Sequence, residues 1–350
     1  LCKRIAKFKT LFETLEINME TNIIIHKAII HILDMSITSP VLSELPLEID
    51  DDTFEYIAKQ ITKIAFLPTN KKYTLSNNSE NCELLMTFDK NNFEQITQSL
   101  SKNIFEIMKS CTDINSSDLM YCLYETEGVK KLCMLKLDYK DSFIHKIDEI
   151  DDKRVVRVIK YKSTLPSISQ KSDESFIYEI DNNVLFISEK KHEIEEEKTA
   201  IFSNFVFNLP FTLSPKDTYD AIEKASKKMV KEYFDNDIEK KINVKKEIVE
   251  SFNSKGTVDI NKITDTVFES DSVVKERYNE ELKNSGIKED TVKLDYKLDK
   301  KINKKQRIKT EEGIEILIPV EYLDDTDKIS FNTNEDGTVN IVMKSLNNVS

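Results

Sequence analysis

Two apolar runs that meet at a short turn constrain this chain more than any other stretch. From Ser117 to Lys140 it reads SDLMYCLYETEGVKKLCMLKLDYK. The break at Thr126-Glu127-Gly128, between runs rich in Tyr, Leu, Met and Cys, predicts a β-hairpin with a short Gly-containing loop. In the first strand Leu119, Tyr121 and Leu123 alternate with Met120, Cys122 and Tyr124, so neither face can be left in water without exposing a row of large side chains. The hairpin therefore needs cover on both sides. On the second strand Cys133, Leu135, Leu137 and Tyr139 line one face, while the other starts apolar at Leu132 and Met134 and becomes charged at Lys136, Asp138 and Lys140.

The elements that could supply the cover precede the hairpin. Asn22 to Asp34, dense in isoleucine, reads as a strand. Its His26 and His31 read as core or edge histidines, because no Cys or carboxylate lies at ligand spacing. Asp50 or Asp51 can cap a helix whose apolar face is Phe54, Ile57, Ala58, Ile61, Ile64 and Ala65, and Pro68 ends it. A polar segment up to Asn78 reads as a surface loop. A second helix follows Asp89, with Phe93, Ile96, Leu100, Ile104, Ile107 and Met108 at steps of three and four. Beyond the hairpin, Ser142–Ile147, Arg154–Lys162, Phe176–Ile180 and Val184–Ser188 continue as an antiparallel meander. Glu189–Glu197, EKKHEIEEE, reads as a solvated helix start or linker.

The texture then turns helical. Ser214, Pro215 and Asp217 form a helix start, and a stripe of Tyr219, Ile222, Met229, Val230 and Tyr233 follows. A next helix carries Ile242, Val249 and Phe252, with Lys240, Lys241, Lys245 and Lys246 away from its stripe. Two short helices near 260–268 and 273–283 invite a helix-turn-helix reading, but VVKERYNEELKNS is near neutral, and an ordinary helical hairpin is preferred. Strands return at Val292–Tyr296, Ile302–Lys309, Ile314–Pro319 and Val339–Lys344. The expected fold is α+β: an N-terminal domain over 19–210, in which two or more helices cover an antiparallel meander, and a C-terminal domain over 211–350 that is helical and then β. Residues 1–18 precede Met19 and are expected to be a dispensable leader. Their alternative is an amphipathic anchor, with Ile5, Phe8, Leu11, Phe12 and Leu15 beside Lys3, Arg4, Lys7 and Lys9.

Several function classes drop out. The five glycines form neither GxGxxG nor GxxxxGK[ST], which removes phosphate-cradling loops of both kinds. The five cysteines show no CxxC spacing and read as reduced core residues. No run of about 18 apolar residues exists to span a bilayer, and a soluble intracellular chain without membrane contact is expected. Net charge is −12, so any contact with nucleic acid must be local.

Two places carry candidate chemistry. Asp138-Tyr139-Lys140 has the carboxylate-x-Lys spacing of the PD-(D/E)xK metal-dependent nucleases, in which alternate strand residues face one Mg²⁺ and the scissile phosphate. With Thr126–Gly128 as the loop and Gly128 left-handed, Asp118 pairs with Lys136 and lies diagonal to Asp138 on the same face, as a third member would. The plainer expectation is an ion pair of Asp118 with Lys136 at the sheet edge. The second place is Lys293, Lys297, Lys300, Lys301, Lys304, Lys305, Arg307 and Lys309, eight cations against Asp295 and Asp299 alone. Such a stretch can track a phosphate backbone, or it can be a solvated edge guarded by lysines. One arginine and one interleaved tyrosine offer little for base reading or stacking.

From near Met19 onward the chain resembles the nucleoid-associated proteins of the bacterial 37-kDa type. The residues that carry the likeness are the IIIHKAIIHILD strand (Ile23–Asp34), the hairpin ending LKLDYK (Leu135–Lys140), LPSISQK (Leu165–Lys171) and the helical-then-β C-terminal part, in matching order and spacing. The resemblance implies a cytoplasmic bacterial protein of the nucleoid that binds DNA, with no cofactor and no catalytic residues. The expectation is a homodimer that binds double-stranded DNA with little sequence preference through its C-terminal part. The alternatives are the Mg²⁺-dependent nuclease centred on Asp118, Asp138 and Lys140, and a scaffold that reaches DNA through a chromosome-maintenance protein.

Overall fold

The structure, a computed structural model, describes residues 22–235, 237–268, 271–294, 306–309, 313–319, 322, 327–334 and 338–344. The expected leader, 1–18, lies outside them. The chain divides into two units, Leu1–Phe211 and Thr212–Ser350.

In the first unit, β1 (Ile24–Leu33) precedes α1 (Asp51–Ala65), β2 (Lys71–Thr74), α2 (Glu80–Met86) and α3 (Phe93–Lys109). Then come β3 (Ser117–Thr126), β4 (Val129–Asp138), β5 (Lys140–Ile150), β6 (Lys153–Thr164), β7 (Glu174–Glu179), β8 (Val184–Ser188), β9 (Lys191–Ile194) and β10 (Glu197–Ala200). A π-helical turn, Phe202–Val206, follows. Six strands form one antiparallel sheet in the order β1-β3-β4-β7-β8-β2. The doubly apolar hairpin sits inside it and is covered on both sides, as its pattern requires. Leu119, Tyr121, Leu123, Leu132 and Met134 pack with Ile96, Leu100 and Ile104 of α3, Leu85 of α2 and Phe202 of the π turn. Met120, Cys122, Tyr124, Cys133, Leu135 and Leu137 pack on Ile57, Ala58, Ile61 and Ile64 of α1. At about 1.5–3 kcal/mol for each large apolar side chain fully buried, this helix-sheet-helix sandwich is the main source of the unit's stability.

The helix starts follow their sequence signals. Asp50 accepts from the Thr53 amide at 2.8 Å, and Asp51 and Asp52 complement the N-terminal dipole of α1. His31 is a satisfied core histidine, fully buried between Ser43 and Thr97.

Four expectations are corrected. The polar segment before Asn78 is not all loop: Lys71–Thr74 is an edge strand paired to β8. The strands at β5 and β6 are not consecutive members of the meander. They pair only with each other, and β7 takes the place beside β4. β7 is apolar or small on both faces at Ser175, Phe176, Ile177 and Tyr178, whereas both faces of β5 and β6 mix apolar with charged residues, so only β7 suits an interior position. The charge run Glu189–Glu197 is no linker but the β9–β10 hairpin, turned by Glu195 and Glu196 at φ 50° and 68°.

The fourth correction is the register of the central hairpin. The loop is two residues, Glu127 (φ 54°) and Gly128 (φ 75°), the left-handed pair of a type I′ turn, and Thr126 faces Val129. Relative to a three-residue loop every partner moves by one: Leu119 faces Lys136, Asp118 faces Leu137, and Ser117 faces Asp138.

In the second unit, α4 (Pro215–Tyr233) begins with a full Ser214/Asp217 capping box. It is followed by α5 (Ile238–Lys255), β11 (Thr257–Asp259), α6 (Ile260–Thr266), α7 (Ser272–Asn284) and β12 (Thr291–Lys293). β11 and β12 pair, bracketing the two short helices. Tyr219, Ile222, Met229 and Val230 of α4 meet Ile242 and Ile248 of α5, Ile263 of α6, Phe268, and Val274, Tyr278 and Leu282 of α7. Two hairpins complete the described residues: β13 (Gln306–Lys309) with β14 (Glu315–Ile318), and β15 (Ile329–Thr333) with β16 (Val339–Met343).

Candidate functional site

The charged end of the central hairpin is the first candidate, and the shifted register decides its geometry. Cross-strand partners share a face of the sheet. Lys136 and Asp138, opposite Leu119 and Ser117, therefore lie on the α3 side, and Asp118, opposite Leu137, lies on the α1 side. A slip of one residue exchanges faces, so Asp118 and Asp138 do not converge, and the expected Asp118–Lys136 pair is not made. Asp118 instead accepts from the Tyr139 hydroxyl at 2.9 Å, and burial raises its pKa against the lowering effect of that bond. Lys140 lies exposed on β5.

Lys136 is not the solvent-facing lysine its neighbours in sequence suggest. It is 3% exposed, with Nζ 3.0 Å from Glu174 Oε2 and bonded to Asp138. Glu174, on β7, is 2% exposed, and its Oε1 lies 2.9 Å from His192 Nε2 on β9. His192 Nδ1 is 3.3 Å from Asp113 Oδ1. Burial opposes the charged form of Lys136, but Glu174 and Asp138 outweigh it and hold its pKa above the ordinary lysine value. Burial likewise pushes the Glu174 carboxyl up, and the His192 hydrogen bond and the Lys136 charge overcome it, leaving a net lowering. The Glu174 hydrogen bond raises His192, against burial. Ser172 Oγ closes the chain of polar contacts by donating to the backbone carbonyl of Lys136 or Glu174, at 2.8 and 2.6 Å. This array ties three strands together. Each of its ionisable side chains is paired within the array. Among the described residues no group of three or more His, Cys, Asp or Glu side chains is arranged to hold a metal ion.

The basic stretch is placed only in part. Lys293 ends β12 with an exposed side chain. Arg307 and Lys309 are described by backbone alone, in β13. Lys297, Lys300, Lys301, Lys304 and Lys305 lie outside the described residues.

Lys240 and Lys245 of α5 are not free cations. Lys245 is 7% exposed and donates to the Tyr219 hydroxyl, and Lys240 lies over the Phe234 ring at 4.3 Å and donates to the Val267 carbonyl at 3.1 Å. Burial lowers the pKa of Lys241, which lines a cavity of about 20 Å³ with Glu223 and Lys227. That space suits about one water molecule. On α7, Arg277 is held by Glu280 at 3.0 Å and Glu281 at 3.6 Å, so this helix offers no cationic face.

No curated protein matches the chain. The family model described as nucleoid-associated protein YejK matches residues 29–349, nearly the whole length, from inside β1 past β16. No helix among the described residues is long and apolar enough to cross a membrane. The order of elements, an apolar antiparallel sheet sealed by helices and then a helical unit ending in hairpins, runs the full length of that match, and this chain belongs to the family of the nucleoid-associated protein YejK.

Proposed function

We propose that this protein binds double-stranded DNA of the nucleoid with little sequence preference, through the stretch Lys293–Lys309, and does no chemistry on it. The observation that carries the reading is the concentration of eight cations against two carboxylates there, in a family member whose net charge is otherwise unsuited to a polyanion. Each lysine that neutralises a phosphate releases a counterion, and this term is blind to base sequence. The lysines Lys245 and Lys240 of α5 are less suited to the role, since they are engaged in their own unit's packing.

The test is a titration of duplex DNA across salt. If four of these cations each meet one phosphate, log K falls with log salt at a slope of about −3.6, from roughly −0.9 per phosphate. Replacing Lys300, Lys301, Lys304 and Lys305 with Ser is expected to flatten the slope toward zero and to weaken binding alike on unrelated sequences, with the melting temperature unchanged. A folded variant with the parental affinity and slope would sink the assignment. If the parent itself does not bind duplex DNA at low salt, the scaffold reading replaces it.

A further inference from the structure

The β5–β6 ribbon exposes several large apolar side chains. Its two strands pair with each other and with no strand of the six-stranded sheet. The register puts Phe143 opposite Lys160, His145 opposite Val158, Ile147 opposite Val156, and Glu149 opposite Arg154, all on one face. On that face Phe143 is 72% exposed, Ile147 62%, Val156 65% and Val158 74%. The other face exposes its apolar side chains less, Ile144 43%, Ile150 43%, Val155 36% and Tyr161 48%, and is partly closed by its own ions, since Asp148 takes Lys146 at 3.0 Å and Arg157 at 3.4 Å. An isolated two-stranded ribbon is marginal in water, and a contiguous apolar row on one side of it marks an interaction surface.

We propose that this face docks against the same face of a second copy of the chain, the two ribbons stacking about a twofold axis that runs along their length. Such an axis carries β5 of one copy over β6 of the other without a shift along the ribbon. The register then sets His145 over Val158, Ile147 over Val156, the Phe143 ring over the Lys160 stem, and Glu149 over Arg154, each contact occurring twice. The face is thus its own complement in both apolarity and charge, which is what an isologous interface requires. Stacked sheets with nearly aligned strands, about 10 Å apart, are a standard packing. Duplex DNA fits less well. The tip is Asp151-Asp152, and the five cations of β6, Lys153, Arg154, Arg157, Lys160 and Lys162, are not gathered on the docking face. Lys153 and Arg157 lie on the opposite one, while Arg154 stands opposite Glu149 and Lys160 opposite Phe143, beside an apolar row that would meet phosphate and water.

Eleven residues at about 3.3 Å each, across two strands about 5 Å apart, give a footprint of roughly 350 Å² per copy, so the dimer belongs to the weak class. Sedimentation of the full chain from about 1 to 200 µM should therefore show a monomer-to-dimer transition. Glu149→Arg alone and Arg154→Glu alone each set like charges over one another in the stack and are expected to weaken the dimer about a hundredfold. An equimolar mixture of these two variants restores opposite charges at both contacts and should recover the dimer. A merely intramolecular Glu149–Arg154 pair cannot produce that rescue. The apolar variant Ile147→Asp/Val156→Asp should stay monomeric throughout, with the melting transition of the body retained.

A wild-type protein that is monomeric at 200 µM overturns the proposal, as does a charge variant that dimerises normally or a mixture without rescue. If the mass never changes and the apolar variant instead loses affinity for duplex DNA, the ribbon is a nucleic-acid arm and the proposal is wrong. The salt titration of the Lys300, Lys301, Lys304 and Lys305 variant is independent of these outcomes, so the DNA reading and the dimer can fail separately.

Discussion

Lys136 Nζ stands 3.0 Å from Glu174 Oε2, with both side chains almost wholly out of water. Removing one member leaves the other buried without its counter-ion, which typically costs about 3–5 kcal/mol. Lys136→Met should lower the free energy of unfolding of the first unit by about 3 kcal/mol, at the lower end because His192 still holds Glu174. Lys140→Met, on an exposed strand, should change it by less than about 0.5 kcal/mol. Denaturant unfolding of the two variants decides whether the ion pair belongs to the fold.

The same array sets a pH dependence. The His192 pKa is raised above 6.5 in the folded protein, so its contribution is complete below 6.5 and is lost as pH climbs through the raised value. Glu174 is depressed below 4.5, so its contribution is present above 4.5 and is lost as pH falls through the lowered value. Melting temperature is expected to fall when pH rises from 6.5 through the raised value. His192→Gln should remove that fall, and an undiminished slope in the variant would rule out His192 as its source.

His31 titrates with the opposite consequence. The Ser43 amide donates to its Nδ1 at 3.1 Å, so the ring proton sits on Nε2 toward Thr97, and burial lowers the pKa to about 4. A neutral buried histidine costs nothing above 6.5, and stability drains away as pH falls from 6.5 to about 4, where the unfolded chain takes up a proton that the folded one refuses. His31→Asn should flatten the acid limb of the melting curve and leave the alkaline limb to His192.

Two turns of one type make a paired prediction. Gly128 occupies φ 75° with open space around it, so Gly128→Ala meets no clash and should cost about 1 kcal/mol through backbone strain alone. Glu196 occupies φ 68° in the β9–β10 turn. Glu196→Gly should stabilise by roughly 0.5 kcal/mol, the strain relieved less the entropy added to the unfolded chain. Equal signs for the two changes in thermal unfolding would refute the assignment.

Because Asp118 and Asp138 lie on opposite faces of the sheet, a supercoiled plasmid incubated with the protein and Mg²⁺ is expected to stay intact. Cleavage abolished by Asp138→Asn would require the two carboxylates to meet, and hence a different register.

What could be read from sequence follows the range of the interactions. A hairpin apolar on both faces demanded two covering layers, and α1 and α3 supply them with the expected stripes. Asp50 and Ser214 marked helix starts because capping acts within four residues. The register was not legible: Thr126-Glu127-Gly128 fits a loop of two or three residues equally, and one residue decides which side Asp118 faces. Lys136 looked exposed because its partners Glu174 and His192 lie far along the chain, the latter inside a run whose composition suggested solvent. From sequence the ribbon is indistinguishable from two more strands of the meander, since pairing is local but docking to the sheet is not.

The excursion of β5 and β6 out of the sheet also bears on the order in which the chain assembles. Between β4 and β7 lie the 35 residues from Tyr139 to Asp173, and joining those strands directly would close all of them as one loop. Once the ribbon has zipped from its own turn, Lys140 and Thr164 are already neighbours, and only about ten residues of slack remain. By the logarithmic rule for loop closure this saves about 1 kcal/mol of chain entropy. The ribbon thus shortens the search by which the two innermost strands find each other.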